Sequence, residues 1–484
     1  AILLPNIIPC VVAYYAILKI GAITVMNNPL YSDPELEHQF NDSGAKVLIT
    51  LDVLGNRMVA LRPKTKIKQI VITCIGDYLP PIKRVLGRWL KKYPFAEVKP
   101  APDLYDWKTC LQKYGPNPPA VKCGFEDVAM YQYTGGTTGV SKGVMLTHAN
   151  LSKQVQQLSS WVPEFGKGGE IILGALPYFH VFGLSVVLNY AIYKGWSQVL
   201  VPRPQPEPLL EAIRSFCPSF TPLVPTMYIG MLNHPDLKKT PMTCIKGAFS
   251  GSAPLPVEVI HDFEKATGAV IMEGFGMTET SPVTHVNPFR GVHKVGSVGV
   301  PIPDTLARIV DLEDEVTDVP VGERGELIVK GPQVMLGYKD RPDETAKTLR
   351  DGWCYTGDIA TMDEDGYFYI VDRKKDMIIS GGFNVYPREV EEVLYLHPKI
   401  LEAAVLGVPD PYRGETVKAF VVLKPGEKVA AEEIIEFSRQ NLARFRVPTL
   451  VEFRQELPKS HVGKVLRKVL REEEEKKKTG AGPN

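Results

Sequence analysis

The stretch Tyr131-Gln132-Tyr133-Thr134-Gly135-Gly136-Thr137-Thr138-Gly139-Val140-Ser141-Lys142-Gly143 decides how the rest of the chain is read. Glycine lets backbone N–H groups turn toward a bulky anion and lets that anion approach closely. The hydroxyls of Thr134, Thr137 and Thr138 add donors, and Lys142 adds a point charge. Together they describe a clasp for a polyphosphate. The bland reading is a polar hairpin turn, because Gly and Thr abound in turns. A Walker-type loop, Gly-x4-Gly-Lys followed by Ser or Thr, occurs nowhere in the chain. Gly139-Val140-Ser141-Lys142-Gly143 does match the nucleophile elbow of serine hydrolases, such as thioesterases. An elbow serine, however, follows a strand directly and opens a helix. Here a Gly/Thr loop precedes Ser141, and the extended-looking Val144-Met145-Leu146-Thr147 follows it, which disfavours that rival.

The clasp resembles the phosphate-binding signature of the adenylate-forming superfamily, which includes acyl-CoA synthetases, luciferases and peptide-synthetase adenylation domains. Gly135 stands where the pattern has Ser or Thr, and Ser141 where it has Pro. Further motifs follow in order. Glu273-Gly274-Phe275-Gly276-Met277-Thr278-Glu279 resembles Tyr-Gly-x-Thr-Glu with Phe275 for Tyr, and Tyr355-Thr356-Gly357-Asp358 resembles the Thr-Gly-Asp signature. Asp372-Arg373-Lys374-Lys375-Asp376 precedes Ser380-Gly381-Gly382-Phe383-Asn384. Pro458-Lys459-Ser460-His461-Val462-Gly463-Lys464-Val465-Leu466-Arg467 closes the series. The wording of Val329-Lys330-Gly331-Pro332-Gln333-Val334-Met335-Leu336-Gly337-Tyr338 is most similar to bacterial long-chain fatty acid–CoA ligases.

The resemblance implies an α/β fold: a large N-terminal domain of parallel α/β subdomains plus a small β-barrel, followed by a small mobile α+β domain. The implied limits are 1–371 for the AMP-binding domain, 372–471 for the mobile domain with the catalytic lysine, and 472–484 for a charged flexible tail. It implies that several dozen residues would precede Ala1. It further implies that a fatty acid reacts with ATP to give an acyl-adenylate and pyrophosphate, and that CoA then takes the acyl group. Alternatives are a medium-chain or aromatic-acid CoA ligase, an acyl-AMP ligase, or a non-catalytic relative.

Residue by residue, Thr134, Gly135, Gly136, Thr137, Thr138, Gly139 and Lys142 would hold phosphates. Glu279 and Thr134 would hold Mg²⁺, a hard cation that prefers oxygen ligands. Gly251, Ser252, Glu273, Gly274, Phe275, Gly276 and Thr278 would surround the nucleotide. Asp358 and Arg373 would take the ribose, a carboxylate offering two acceptor oxygens to two hydroxyls. Lys464 would bridge the substrate carboxylate and the α-phosphate, and Lys375 would be the hinge. His180, Gly251, Ala253, Gly381 and Gly382 would flank the acyl and CoA groups. On local grounds alone His180 reads as a histidine capping a strand, and Phe182, Leu184, Val187 and Leu188 as core rather than an acyl tunnel.

The bulk numbers agree with a large globular enzyme. The chain has 484 residues, with 56 Lys and Arg against 55 Asp and Glu. That balance calls for no nucleic-acid partner. Seven scattered cysteines fit a reducing cytoplasm and show no metal spacing. Residues 1–26 are apolar but interrupted by Pro5, Asn6, Pro9 and Lys19, which disfavours a signal peptide or membrane span. A cytoplasmic enzyme follows, with room for peripheral contact with the inner membrane face.

Locally, residues 1–130 alternate strand and helix, as a parallel sheet requires. Ser32-Asp33-Pro34-Glu35 reads as a capping box, with Gly44 as the stop. Residues 46–50 and 69–73 read as strands. Residues 78–119, rich in Pro and Lys, read as a surface excursion without assigned elements. In the last domain residues 387–396 and 431–442 read as helices, and 403–408 and 418–423 as strands. The charged run 472–478 reads as a frayed helix.

Overall fold

The computed structural model describes residues 1–115, 117–118, 120–134, 140–460 and 465–478. The chain forms two compact units, one of residues 1–306 and 329–354, the other of residues 307–328 and 355–484.

The first unit holds two sheets. From edge to edge the first runs Gly337–Tyr338, Lys142–Thr147, Val128–Thr134, Thr24–Met26, Ile2–Leu3, Val47–Leu51, Gln69–Thr73, Leu104–Asp106. Its pairings are parallel from Val128–Thr134 to Leu104–Asp106 and antiparallel at the other end. The second runs Val300–Pro301, Val283–Val286, Val270–Gly276, Gly247–Ser250, Phe220–Leu223, Ile171–Gly174, Ser197–Leu200, parallel over its last five strands. Strands such as Gly247–Ser250 and Phe220–Leu223 are buried along their whole length, which is why they read as apolar runs without alternation.

Local signals act as expected. Ser32 N–H donates to Glu35 at 2.8 Å, the helix Asp33–Ser43 follows, and Gly44 ends it at φ 70°. The chain joins the two sheets with two buried amides. Asn6 donates to the carbonyls of Gly174 and Leu176 at 2.9 and 2.8 Å, and Gln132 donates to that of Phe179 at 2.8 Å.

Residues 78–119 are more than an excursion. They contain a helix Pro81–Trp89, an edge strand Leu104–Asp106 and a helix Trp107–Lys113, whose first turn Asp106 caps by accepting from Thr109 N at 2.8 Å. A three-residue edge strand is too short to show a period, so its place comes from pairing with Gln69–Thr73. The apolar segment after His180 forms a π-helix, Gly183–Asn189, buried throughout. A Cβ on Gly183 would stand 2.3 Å from the Pro177 carbonyl oxygen, so this close approach needs glycine.

In the second unit, Ile400–Asp410 and Gly414–Leu423 form a long antiparallel hairpin, and the other edge of Gly414–Leu423 pairs in parallel with Leu450–Arg454 and, at Gly414, antiparallel with Ile378–Ser380. Alternate residues serve two cores. Val405, Val417 and Val421 pack with Val390, Leu394 and Ile434, while Leu406, Phe420 and Val422 pack with Leu457 and Leu470. Two strands of the segment read as a small β-barrel, Leu306–Val310 and Gly325–Lys330, belong to a five-stranded sheet that continues through Trp353–Met362, which pairs with both Leu349–Arg350 and Phe368–Arg373. Strand-and-turn spacing reveals strands but not closure. The run Glu472–Lys478 also departs from expectation. It continues a helix, Arg467–Lys478, and its Glu473 and Glu474 pair with Arg454 and Lys418 at 2.6 and 2.7 Å. Among the described residues no helix is long and apolar enough to cross a membrane.

Candidate active site

Two strands that pair with each other flank the clasp. Val128–Thr134 pairs antiparallel with Lys142–Thr147, and Thr134 is the register partner of Lys142. Partners across such a ladder project from the same face, which places the Thr134 hydroxyl and the Lys142 side chain side by side. Gly135, Gly136, Thr137, Thr138 and Gly139 lie outside the described residues, as does Lys464.

Lys142 is only 15% exposed, pairs with Glu344, and holds its ammonium 5.0 Å from the centre of the Tyr338 ring. Burial lowers its pKa, and the charge of Glu279 acts in the opposite direction. Tyr338 donates its hydroxyl to Glu279 Oε1 at 2.7 Å. Burial and that carboxylate hold the phenol far above its usual range. The Glu279 backbone carbonyl accepts from Met335 N at 2.8 Å, so the loop leading into the strand Gly337–Tyr338 clamps the turn that carries Glu279. Lys142, Tyr338 and Glu279 therefore form one cluster built by three distant segments.

The turn Thr278–Thr280 itself depends on Gly276. A Cβ there would stand 1.9 Å from the Pro282 carbonyl oxygen. Phe275 is the register partner of His285, with ring centres 6.2 Å apart. Glu273 is buried and accepts from Leu255 N at 3.2 Å, so it anchors the loop carrying Gly251, Ser252 and Ala253. In that loop Ser252 adopts φ 72°, an uncommon conformation for a residue with a side chain. Gly251 packs where a Cβ would meet the Phe182 ring at 3.3 Å and the Gly274 carbonyl oxygen at 3.5 Å. Gly251–Ala253 and Gly274–Glu279 extend from the carboxyl ends of neighbouring parallel strands, where Ser250 is the partner of Glu273. Open α/β sheets bind ligands at that edge.

His180 follows the carboxyl end of Ile171–Gly174 in the same sheet. Its Nδ1 accepts from Phe182 N at 3.3 Å, so one ring nitrogen serves the start of the helical segment that follows rather than the strand before it. Beneath, Trp161, Val186, Tyr190, Phe249 and Met272 line a narrow apolar cavity. Val186 and Tyr190 face it, while Phe182, Leu184, Val187 and Leu188 are buried core.

Ser141 is no elbow nucleophile. It leads into the strand Lys142–Thr147, and the nearby His38 Nε2 meets its backbone carbonyl at 2.8 Å rather than its hydroxyl.

The second unit holds the other expected residues. Asp358 and Arg373 are register partners on Trp353–Met362 and Phe368–Arg373, and the guanidinium lies 3.5 Å from the buried carboxylate. Glu326 fixes the turn before Asp358 by accepting from Gly357 N at 3.1 Å. The charged run Asp372–Asp376 is tied down by ion pairs. Lys374 pairs with Glu315 and Glu326 at 2.6 and 2.9 Å, and burial lowers the pKa of Lys375. Asp372 accepts from Arg388 N at 2.7 Å and Asp376 from Arg471 at 3.1 Å. Arg467 makes two 2.6 Å bonds to Glu391 and stands 3.8 and 3.7 Å from Asp372 and Asp376. Gly381 and Gly382 adopt φ 58° and 83° at the tip of the hairpin between Ile378–Ser380 and Phe383–Val385, a turn that favours paired glycines without any ligand.

Sequence reading missed Tyr338, Glu344, Gln132 and Arg467 as parts of this machinery. Tyr338 and Arg467 sat at the ends of quoted motifs, while Gln132 carries no local signal.

These features belong to an α/β enzyme with a Gly/Thr-rich segment next to the Lys142, Tyr338 and Glu279 cluster. More particularly, the chain belongs to the AMP-binding enzyme family, whose adenylate-forming members activate acids. The family model for AMP-binding enzymes matches residues 1–339, and that for the AMP-binding enzyme C-terminal domain matches residues 389–464. The chain is 47% identical over 477 residues to a long-chain-fatty-acid–CoA ligase of Bacillus subtilis, covering 98% of this chain and 85% of the relative. It is 42% identical over 484 residues to the ligase of the same name from Yersinia pestis, with the same coverage. Among solved structures, the anthranilate CoA ligase AuaEII in complex with anthranoyl-AMP is similar at TM-score 0.88 and 26% identity, covering 99% of this chain and 88% of that one.

Proposed function

We propose that this chain joins a long-chain fatty acid to CoA through an acyl-adenylate, releasing pyrophosphate. The observation that carries the reading is the cluster of Lys142, Tyr338 and Glu279 beside the clasp hairpin. A carboxylate is a poor acyl donor because its charge repels nucleophiles and oxide is a poor leaving group. Attack by that carboxylate on the α-phosphate of ATP joins two anions, which costs energy unless cations and N–H donors stand ready.

In the proposed roles, the clasp and Lys142 hold the leaving pyrophosphate and Glu344 releases Lys142 to it. Lys464 neutralises and aligns the carboxylate with the α-phosphate. Asp358 accepts the ribose hydroxyls, with Arg373 beside it. The loop 251–253 lets the adenine and acyl groups lie against backbone. Glu279 and Thr134 offer hard oxygen donors but no protein cage, and no group of three or more metal-binding side chains occurs among the described residues. That fits Mg²⁺, which usually keeps waters and shares phosphate oxygens. The ion would neutralise phosphate charge. The apolar cavity by Val186, Tyr190 and Phe249 adjoins the proposed acyl site. For the second step Lys375 would act as the hinge of residues 372–471, bringing the Gly381-Gly382 turn to the CoA arm. The domain limits 1–371 and 372–471, with 472–484 as a tail, belong to this proposal. So does a cytoplasmic location with peripheral membrane contact for a substrate that partitions into lipid.

Pyrophosphate release with ATP and Mg²⁺, measured across acids from acetate to oleate with and without CoA, tests the reading. The expected result is turnover that peaks with long chains and requires CoA. A peak with medium-chain or aromatic acids would keep the mechanism and replace the substrate. Release without any need for CoA would favour an acyl-AMP ligase, and silence with every acid would overturn the reading.

A further inference from the structure

The helix Pro81–Trp89 is built unlike the other helices around it, because none of its residues is buried. Its apolar side chains recur at Ile82, Val85, Leu86 and Trp89, the spacing of a single helical face, and Leu90 continues them. Their exposures are 81, 69, 48, 78 and 46%. A face of five large apolar side chains in water is costly, since each exposed group forgoes its transfer free energy. Soluble proteins keep such patches for a partner.

The protein holds this face outward. On the inner side Tyr93 lies against the helix, where a Cβ on Gly87 would stand 2.7 Å from its ring and a Cβ on Gly76 2.4 Å from its oxygen. The Tyr93 hydroxyl donates to the Arg84 carbonyl at 2.8 Å, and the Arg84 guanidinium pairs at 3.2 Å with Asp77. Asp77 is itself held by Thr73 Oγ1 at 2.7 Å and Cys74 N at 2.9 Å. The glycines thus seat the helix on the body, and its apolar side faces away.

Charge says what covers it. Between Asp77 and Glu97 the chain carries Lys83, Arg84, Arg88, Lys91 and Lys92 and no acidic residue. Lys83, Arg88, Lys91 and Lys92 are exposed. The whole chain is near neutral, so this concentration is local. A short helix with Trp and Leu on one face and cations along its border matches the interface of an anionic bilayer. There the apolar face enters the acyl boundary and the cations meet lipid phosphates. Tryptophan favours that depth because its ring is apolar and its N–H is polar.

From this geometry we infer that residues 81–92 form a docking element for anionic phospholipid membranes, seated by Tyr93 and inserting Ile82, Val85, Leu86, Trp89 and Leu90. The inference deepens the peripheral contact proposed above, because a surface-bound enzyme takes a lipid-soluble acid where it is concentrated. Docking does not itself depend on turnover.

Flotation of the full chain with vesicles tests it, using phosphatidylcholine alone or with about one-third phosphatidylglycerol. The chain is expected to float with the anionic vesicles, weakly with the neutral ones, and less in raised salt. Leu86→Ser combined with Trp89→Ser should weaken anionic binding at least about tenfold, and so should Lys91→Glu combined with Lys92→Glu. Both variants alter exposed side chains, so pyrophosphate release with water-soluble octanoate should match the parent. Vesicle binding by a chain inactive with every acid would sustain the docking element and reject the fatty-acid reading. Absence of parent binding, or equal binding by either variant, would overturn the inference. So would a concentration-dependent dimer abolished by the Leu86/Trp89 variant in the absence of lipid, since a second copy would then be the occupant.

Discussion

Tyr338 shows how a residue with no reactive role by itself can set the reactivity of its neighbours. Its hydroxyl bonds Glu279 at 2.7 Å while its ring faces the Lys142 ammonium. Tyr338→Phe keeps the ring and removes the donor from a buried carboxylate. A hydrogen bond to a charged group contributes about 1.5–3 kcal/mol, so kcat/KM for MgATP should fall roughly tenfold to a hundredfold. Titrating pyrophosphate release against Mg²⁺ checks this, and an unchanged Mg²⁺ dependence would remove Tyr338 from the site. His285 gives a second prediction at this scale. Full burial depresses its pKa from 6.5 to about 3. The unfolded chain therefore binds a proton near pH 6.5 that the folded chain refuses until about pH 3. Stability should fall as pH drops through that window, by about 1.4 kcal/mol per pH unit from this group. His285→Gln should flatten the acid limb of Tm against pH.

At the scale of the element, two glycine turns that look alike in sequence differ in kind. Gly276 is required by contact, because a Cβ would enter the Pro282 carbonyl. Gly276→Ala should displace the Thr278–Thr280 turn, cost about 1–3 kcal/mol by overpacking, and depress pyrophosphate release through Glu279. Gly381 is required by conformation alone, with φ 58° and nothing within 4 Å of a Cβ. Gly381→Ala should cost about 1–2 kcal/mol of backbone strain and leave the adenylation half-reaction intact. Measuring Tm and pyrophosphate release for both variants separates the two. The elements that follow local rules were legible beforehand: the capped helix Asp33–Ser43 and the strand Gln69–Thr73 lie where the pattern put them. The edge strand Leu104–Asp106 and the ion pairs that fasten the helix Arg467–Lys478 were not, because both join remote segments.

At the scale of the whole molecule, the second unit has its own cores and its own charged centre. Arg467 is mostly buried against Glu391 and near Asp372 and Asp376. Burial alone would raise the Glu391 and Asp372 carboxyls, and Arg467 works against that. Removing one partner of such a group typically costs about 3–5 kcal/mol. Arg467→Met should therefore lower the unfolding transition of the second unit, read by calorimetry, and leave that of the first in place. A uniform shift of all transitions would show that the two units do not unfold separately. The sequence by itself determined the family and the parallel α/β class. It also supplied the candidate ligand-binding residues, because glycine turns, hydroxyl-rich loops and buried apolar strands write their physics locally. Only the tertiary structure decided that Tyr338 joins Lys142 to Glu279, that Gln132 and Asn6 tie the sheets together, and that Arg467 gathers the acids around Lys375. Those contacts join segments tens to hundreds of residues apart, and a side chain's partner across such a separation leaves no trace in its neighbours along the chain.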